Sequence, residues 1–141
     1  MRVAPIPVAD SRPLRHAVLR PHEKPEAIAW QEPPAAVAYA AFEDGRPIAV
    51  GLVGRDGEPG SWRVRGMATE PEARGRGAGT AVLAALIEYA REQGAERVWC
   101  NARIAARTLY ERAGFSVVSE EFEIEGIGPH YRMELTLAAE P

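Results

Sequence analysis

The chain has 141 residues, of which 46% are hydrophobic and 26% charged, and its formal net charge is -3. This composition is typical of one globular domain, which we expect to span residues 1–141. The net charge provides no basic field for nucleic acid, and the longest apolar run, residues 35–42, is too short to cross a membrane. Cys100 is the only cysteine, so an internal disulfide is excluded and a reducing cytoplasmic location is expected. The three histidines lack ligand spacing, and we expect no metal, no nucleic-acid partner and no membrane partner.

The first quarter of the chain predicts one edge strand, one helix and one loop. Residues 3–8 resemble a strand, but two prolines confine it to the edge of a sheet. Ser11 is a candidate N-cap for a helix that Pro21 ends. Four prolines between residues 21 and 34 predict a loop, with room for one short helix near residues 26–30.

Three antiparallel strands are predicted next. Asp44-Gly45 is a hairpin dipeptide between apolar alternations at residues 37–41 and 48–52, and a second turn at 55–57 leads into a strand over 61–69. Gly66 lies inside that strand and predicts a bulge or a close backbone approach. Strict alternation along this strand predicts two opposite faces. One face consists of Trp62, Val64, Gly66 and Ala68, and the other consists of Arg63, Arg65, Met67 and Thr69.

The second half of the chain alternates helices with strands. A helix is predicted from about residue 77 to a terminating Gly94, followed by a short buried strand over 97–101. A second helix over 105–113 ends at Gly114. Two strands, over 115–125 and 130–137, then close the sheet.

A glycine-rich turn between the 61–69 strand and the following helix predicts an anion site. Glycines let the backbone approach a ligand, and the first N–H groups of a helix point at whatever lies there. A nucleoside-triphosphate loop would need a lysine after the last glycine, and a dinucleotide fingerprint would need a third glycine at Thr80. What remains is an R-x-x-G-x-G pattern formed by Arg74, Gly77 and Gly79.

Two motifs together carry a resemblance to a known family. The run from Glu70 to Gly79 resembles the x-P-E-x-R-G-x-G-x-G pyrophosphate loop of the GNAT superfamily of N-acetyltransferases, and Tyr110 to Phe115 resembles its Y-E-x-x-G-F helix motif. The resemblance covers about residues 35–137. It implies an α/β (α+β) fold of GNAT type, in which helices flank a mixed, mostly antiparallel sheet. It also implies transfer of an acyl group from acyl-CoA, with acetyl-CoA as the expected co-substrate, to an amine of a small molecule or peptide by direct attack on the thioester.

The resemblance also implies a set of residues that contact coenzyme A. Strand 61–69 is expected to part from strand 97–101 near Gly66, so that the pantetheine arm pairs with its edge and a backbone N–H near Ala68 meets the oxyanion. At the position where the family often has Asn this chain has Arg103, and Asn101 lies two residues earlier, so either is a candidate. The expected cofactor-binding residues are Met67, Ala68, Thr69, Arg74, Gly75, Arg76, Gly77, Ala78, Gly79, Thr80, Asn101, Arg103 and Tyr110.

The same resemblance places a proton donor for the departing thiolate at Tyr110. The general base stays open among Glu70, Glu125 and His130. Two other functions remain open at this stage: a non-catalytic CoA-binding or regulatory module, and an unrelated nucleotide-binding protein. Exposed edge strands make a homodimer a further expectation.

Overall fold

A computed structural model describes residues 1–137. The strands in this part of the chain are β1 (Arg2–Ile6), β2 (Val37–Glu43), β3 (Arg46–Arg55), β4 (Ser61–Thr69), β5 (Arg97–Arg103), β6 (Ser116–Val117), β7 (Phe122–Ile124) and β8 (Gly128–Thr136). These eight strands belong to one sheet, in the order β1-β2-β3-β4-β5-β8-β6, with β7 also paired to β8. Every pair is antiparallel except β4 with β5, which is parallel. The helices are α1 (Val8–Leu19), α2 (Ala78–Glu92) and α3 (Arg107–Arg112), with short 3-10 turns at Pro25–Ala27, Pro71–Ala73 and Ile104–Ala106. The expected mixed, mostly antiparallel sheet flanked by helices is therefore confirmed.

Helices cover both faces of the sheet. The apolar stripe of α2, which includes Val82, Leu83 and Leu86, is fully buried in the larger core cluster, and α3 contributes Tyr110 to the same side. On the other face, Leu14 and Val18 of α1 pack against a smaller cluster of Ala40, Val50 and Ala68. Within residues 1–137, no helix has the length and apolarity that crossing a membrane requires.

Several sequence expectations agree with these elements. β1 is an edge strand, as expected from its proline, Pro5, and β4 has the predicted bounds. Asp44 and Gly45 both adopt positive φ, 52° and 74°, which suits the tight hairpin turn between β2 and β3. Gly94 follows α2 with φ 86°, the left-handed conformation typical of a residue that ends a helix.

Two expectations about the bounds of elements were wrong. Ser11 is not an N-cap: α1 begins three residues earlier, after Pro7, and the buried Ser11 hydroxyl donates to the carbonyl of Val8 at 2.6 Å. The single strand expected over 115–125 is divided into β6 and β7. Between them, the Ser119 hydroxyl accepts the N–H of Arg132 in β8 at 2.9 Å, so a side chain replaces a backbone carbonyl in the ladder.

A bulge at Gly66 reverses the faces of the second half of β4. Gly66 has φ 65°, and the register between β3 and β4 shifts where Val50 pairs with Ala68 and Leu52 pairs with Arg65. After the bulge, Met67 packs with the α2-side cluster while Ala68 packs with the α1-side cluster. The strict alternation expected from the sequence is therefore wrong beyond Arg65, because the extra residue exchanges the two faces.

β4 and β5 part beyond their first three paired residues. Ser61, Trp62 and Arg63 pair with Arg97, Val98 and Trp99, and the pairing stops there. β5 nevertheless continues to Arg103, paired with β8 on its other side. A gap therefore opens in the middle of the sheet, next to the bulge.

Stability measurements can test how tightly the bulge is packed. A Cβ added at Gly66 would lie 2.6 Å from Nε of the buried Arg15, whereas one added at Gly94, which also has positive φ, meets nothing within 4 Å. We expect Gly94→Ala to lower the free energy of unfolding by about 1–2 kcal/mol, the cost of a left-handed alanine. Gly66→Ala should cost at least about 1 kcal/mol more, because Arg15 must shift. Urea unfolding of both variants measures this, and equal losses would contradict the packing described.

Candidate active site

A groove of about 200 Å³ opens where β4 and β5 part. Its lining comes from both faces of the sheet: Ala106 and Tyr110 lie on the α3 side, while Arg15 and Arg65 lie on the α1 side. The groove therefore passes through the sheet, and two molecules could meet in it from opposite faces.

One wall of the groove is an unpaired strand edge. From Val64 to Thr69, β4 has β3 on one side only, since its pairing with β5 ends at Arg63. The N–H and C=O groups that point away from β3 have no strand partner there within residues 1–137. Such groups need another hydrogen-bonding partner, and an extended ligand with amide groups would provide one.

The glycine-rich turn leads directly from β4 into α2. Gly75 and Gly77 adopt φ 78° and 82°, and Gly77 forms the left-handed N-cap of α2. As a glycine, this N-cap residue has no side chain to cap the helix, and the first turn of α2 carries no acidic residue. The first N–H groups of α2 are therefore available to an anion, which the helix dipole also favours.

The two arginines of the turn differ in their surroundings. Arg76 donates to both carboxylate oxygens of Glu43, at 2.9 and 3.0 Å, so the β2–β3 hairpin holds it beside the turn. Arg74 is exposed and makes no ion pair in the part of the chain that the structure describes. Thr69 lies against the start of α2, where its Oγ1 would be 3.1 Å from a Cβ added at Gly79. The sequence-predicted loop residues 69–80 are thus brought together around one helix terminus.

Tyr110 lies deep in the groove, next to the only thiol of the chain. Its side chain is 5% exposed and packs edge-on against Phe115, with ring centroids 5.3 Å apart. Burial, with a smaller contribution from Cys100, raises the pKa of Tyr110 well above its usual value. Burial also raises the pKa of Cys100 to about 12, although Tyr110 and Arg63 oppose that rise. Tyr110 is therefore a neutral hydrogen-bond donor at physiological pH, and Cys100 is a protonated, unreactive thiol.

The three candidate bases occupy different places. His130 is buried in the groove wall, stacked on Phe122, and its Nδ1 lies 2.8 Å from the carbonyl of Gly128. Because a carbonyl only accepts, Nδ1 carries the proton, and in the neutral ring the lone pair is on Nε2. Glu70 does not line the groove and instead binds Arg46 at 2.6 Å. Glu125 is exposed and lines an adjoining depression on the α1 side.

Asn101 and Arg103 both line the groove from β5. They lie on the α1 face of that strand, since the residues that alternate with them, Cys100 and Ala102, belong to the core under α2 and α3. Arg103 donates to the carbonyl of Leu19 at 3.4 Å, close to the C-terminal end of α1. Arg103 therefore connects the groove to α1.

Comparison with known proteins identifies the family to which this groove and glycine turn belong. The sequence model of the acetyltransferase (GNAT) family matches residues 8–115 of the chain. The chain belongs to the GNAT family. It is an N-acetyltransferase, and as a GNAT enzyme it uses an acyl-CoA co-substrate and an amine acceptor. The expectation drawn from the two sequence motifs is confirmed at this level.

Similar proteins agree with the family assignment. The chain is 33% identical to the uncharacterized N-acetyltransferase YitI of Bacillus subtilis, over 97% of each chain. The IAA acetyltransferase of Bacillus cereus is similar in structure, with TM-score 0.72 and 21% identity over 96% of this chain and 99% of that one. The ribosomal-protein-S18-alanine N-acetyltransferase of Escherichia coli has TM-score 0.74 and 18% identity, over 99% and 96%. The two structures support the GNAT fold alone, because their identities are low.

Sequence reasoning missed the α1 side of this GNAT groove. Arg15, from the middle of α1, is buried at 4% exposure, and Trp30 of the following loop stacks on its guanidinium at 4.6 Å. Arg63 and Arg65 also line the groove, although their sequence pattern indicated only a shared face. The two strand arginines beside a bulge glycine were a usable signal. Nothing in the periodicity of α1 distinguished Arg15 from a solvated arginine.

Alkylation kinetics test the environment of Cys100. With a pKa of about 12, about 10⁻⁴ of the native thiol is ionised near pH 8, against about a quarter of a free cysteine. We expect iodoacetamide to modify the folded protein far more slowly than the urea-unfolded protein, and mass spectrometry measures both rates. Native Cys100 reacting as fast as free cysteine would contradict its burial beside Tyr110.

Proposed function

We propose that this protein transfers the acetyl group of acetyl-CoA to an amine of a small molecule or peptide, by direct attack of the amine on the thioester. The observation that carries the proposal is the parting of β4 from β5 between the α2 terminus and Tyr110. It leaves a row of backbone groups free in a groove that opens to both faces. The cytoplasmic location and the homodimer expected from the sequence stay predictions.

In this proposal the turn from Arg74 to Thr80 holds the pyrophosphate of the co-substrate. The left-handed Gly75 and Gly77 and the uncapped first turn of α2 support it, since backbone N–H groups there have no side-chain acceptor. Arg74 supplies a free positive charge beside them. Arg76 would keep its pair with Glu43 or exchange it for phosphate.

The pantetheine arm is peptide-like, and the free edge of β4 after Arg63 suits it. Its amides would continue the sheet on that edge, so that Met67, Ala68 and Thr69 lie along the arm. A backbone N–H near Ala68 would then donate to the thioester oxygen as negative charge develops on it. Asn101 and Arg103 face the arm from β5, and we propose that Asn101 contacts it.

Bond changes are simple in this reaction. The amine nitrogen forms a bond to the thioester carbon, the carbon–sulfur bond breaks, and the amine loses one proton while the sulfur gains one. Tyr110 faces the departing sulfur in this scheme. Because its pKa lies above that of a free thiol, Tyr110 stabilises the thiolate mainly by donating a hydrogen bond, and it stays able to do so across the physiological range.

His130 is the base that the geometry favours. It lines the groove, and its Nδ1 contact with Gly128 leaves Nε2 as the proton acceptor, either directly or through water. Glu70 is a weaker candidate because Arg46 neutralises its carboxylate and because it lies outside the groove. Glu125 is exposed and would act only through solvent.

Substitution of Tyr110 tests its proposed role as hydrogen-bond donor to the departing sulfur. We expect Tyr110→Phe to lower kcat by about 10²-fold while the Kd for coenzyme A, from calorimetry, changes little, because the hydroxyl acts only as sulfur departs. Tyr89→Phe is the matched control, since Tyr89 packs against Trp62 away from the groove. An unchanged kcat in Tyr110→Phe would remove Tyr110 from the mechanism.

Substitution of the candidate bases tests which of them acts as the general base. We expect His130→Gln to lower kcat by about 10²-fold, and Glu70→Gln to change it by less than about threefold, because only an ion pair with the exposed Arg46 is lost. Thiol release from acetyl-CoA with a panel of amines gives both values. A larger loss of kcat in Glu70→Gln than in His130→Gln would assign the role of general base to Glu70. Failure of the wild-type protein to release thiol with any amine, while binding coenzyme A, would refute the proposed reaction.

A further inference from the structure

Arginines surround the α1-side mouth of the groove. Five of the residues that line it are arginines, and none of its described lining residues is Asp or Glu. The five are Arg15, Arg20, Arg63, Arg65 and Arg103. Three of them have carboxylate partners, Glu32 for Arg15, Glu23 for Arg20 and Asp56 for Arg63. Arg65 and Arg103 make no ion pair within residues 1–137, so the groove mouth keeps unpaired positive charge although the chain as a whole has a net charge of -3.

Arg65 lies near three others of this set, Arg63, Arg15 and Arg20, and makes no ion pair within residues 1–137. Partial burial lowers its pKa, repulsion from Arg63 adds to the effect, and the charge of Asp56 opposes it without forming an ion pair. Arg63 is partly neutralised by Asp56, 3.6 Å away, and stacks on Trp99 at 4.5 Å. A guanidinium stays charged at any physiological pH, so Arg65 is a partly desolvated cation in the groove that forms no ion pair with a carboxylate of residues 1–137.

Arg15 adds a buried donor that has no acceptor. Its Nη1 donates to Glu32 and to Ser11, but its buried Nε has no hydrogen-bond partner, and it lies against Gly66 of the bulge. Nε of Arg63 is also buried without a partner. Unsatisfied buried donors are rare in folded proteins because each one costs the free energy of its lost hydration. Two such donors beside one groove indicate that a bound ligand supplies the missing hydrogen-bond acceptor.

The co-substrate does not explain this charge. Under the proposed function its phosphates bind at the N-terminus of α2, on the opposite face of the sheet from Arg15 and Arg65, and its pantetheine arm is uncharged. The remaining ligand of the groove is the acceptor amine. We propose that the acceptor carries an oxyanion, a carboxylate or a phosphate, that Arg65 and Arg15 bind while its amino group meets the thioester. This rests on the proposed acyl transfer and adds the acceptor's chemical class to it.

Guanidinium chemistry supports an oxyanion over other anions. The planar fork of an arginine donates two parallel hydrogen bonds to a carboxylate or a phosphate, which fixes the orientation of the ligand as well as its charge. Arg103, held at the end of α1 by the carbonyl of Leu19, provides a further donor on the same side. Carboxylate and phosphate present the same oxygens to such a site, so matched substrates must distinguish them.

Matched pairs of amines test the proposal. Thiol release from acetyl-CoA is measured with the common amino acids against their C-terminal amides, and with phosphoethanolamine against ethanolamine. We expect one of the two kinds of pair, carboxylate against amide or phosphate ester against alcohol, to show a kcat/KM at least about tenfold higher for its charged member, because one charge-assisted hydrogen bond contributes about that factor. The kind of pair that shows the preference identifies the oxyanion. Arg65→Gln should remove the preference by raising KM for the acceptor, with KM for acetyl-CoA unchanged. Arg65→Lys should restore part of it, and Arg91→Gln, on the far end of α2, should leave it intact.

Equal use of both members of every pair, or a preference for the amides and ethanolamine, would overturn the oxyanion proposal and leave acyl transfer in place. If no amine releases thiol, the proposed function fails separately, and binding decides the oxyanion question. In that case N-acetyl amino acids, their amides and N-acetyl phosphoethanolamine are titrated by calorimetry into protein saturated with coenzyme A. Tighter binding of a charged probe that Arg65→Gln abolishes would support the arginine site, and indistinguishable titrations would refute it.

Discussion

The left-handed conformation of Gly66 is the constraint on which the groove depends. A residue at φ 65° in the middle of β4 inserts one extra position against β3, close to the point after Arg63 where β4 stops pairing with β5. Without that departure the two parallel strands would pair along their length, and no backbone group between them would be free. The sheet is therefore interrupted where the reaction is proposed to occur, while its remaining pairs hold the two halves together.

Arg15 connects this interruption to the rest of the α1 side. Its guanidinium packs on Gly66, stacks on Trp30 and binds Glu32, so one side chain joins the bulge, the helix and the loop after it. A buried charge of this kind is stabilised only by well-placed partners, and its removal would leave Glu32 beside Arg12 alone. The geometry of the α1 side of the groove is thus fixed by a polar cluster, whereas the α2 side is fixed by apolar packing of α2 on the sheet.

The sequence predicted the parts of the structure that local chemistry decides. Asp44-Gly45 and Gly94 identify their turns because few other residues adopt positive φ, and the glycines after Arg74 indicate the turn at which α2 starts. The binding of an anion at that turn stays a prediction. The exchange of faces after Gly66 was not predictable, because a glycine indicates a bulge without fixing which residue it displaces. The role of Ser119 in the ladder and the burial of Arg15 depend on contacts with distant residues, and no periodic pattern records those.

Amide hydrogen exchange with and without coenzyme A tests the central claim most directly, because that claim concerns backbone groups. If the free edge of β4 receives the pantetheine arm, saturating coenzyme A should slow exchange at amides within Val64–Thr69 and in the turn from Gly75 to Thr80, while β1 and β2 stay unchanged. Binding of coenzyme A that leaves the exchange of both segments unaltered would contradict the account.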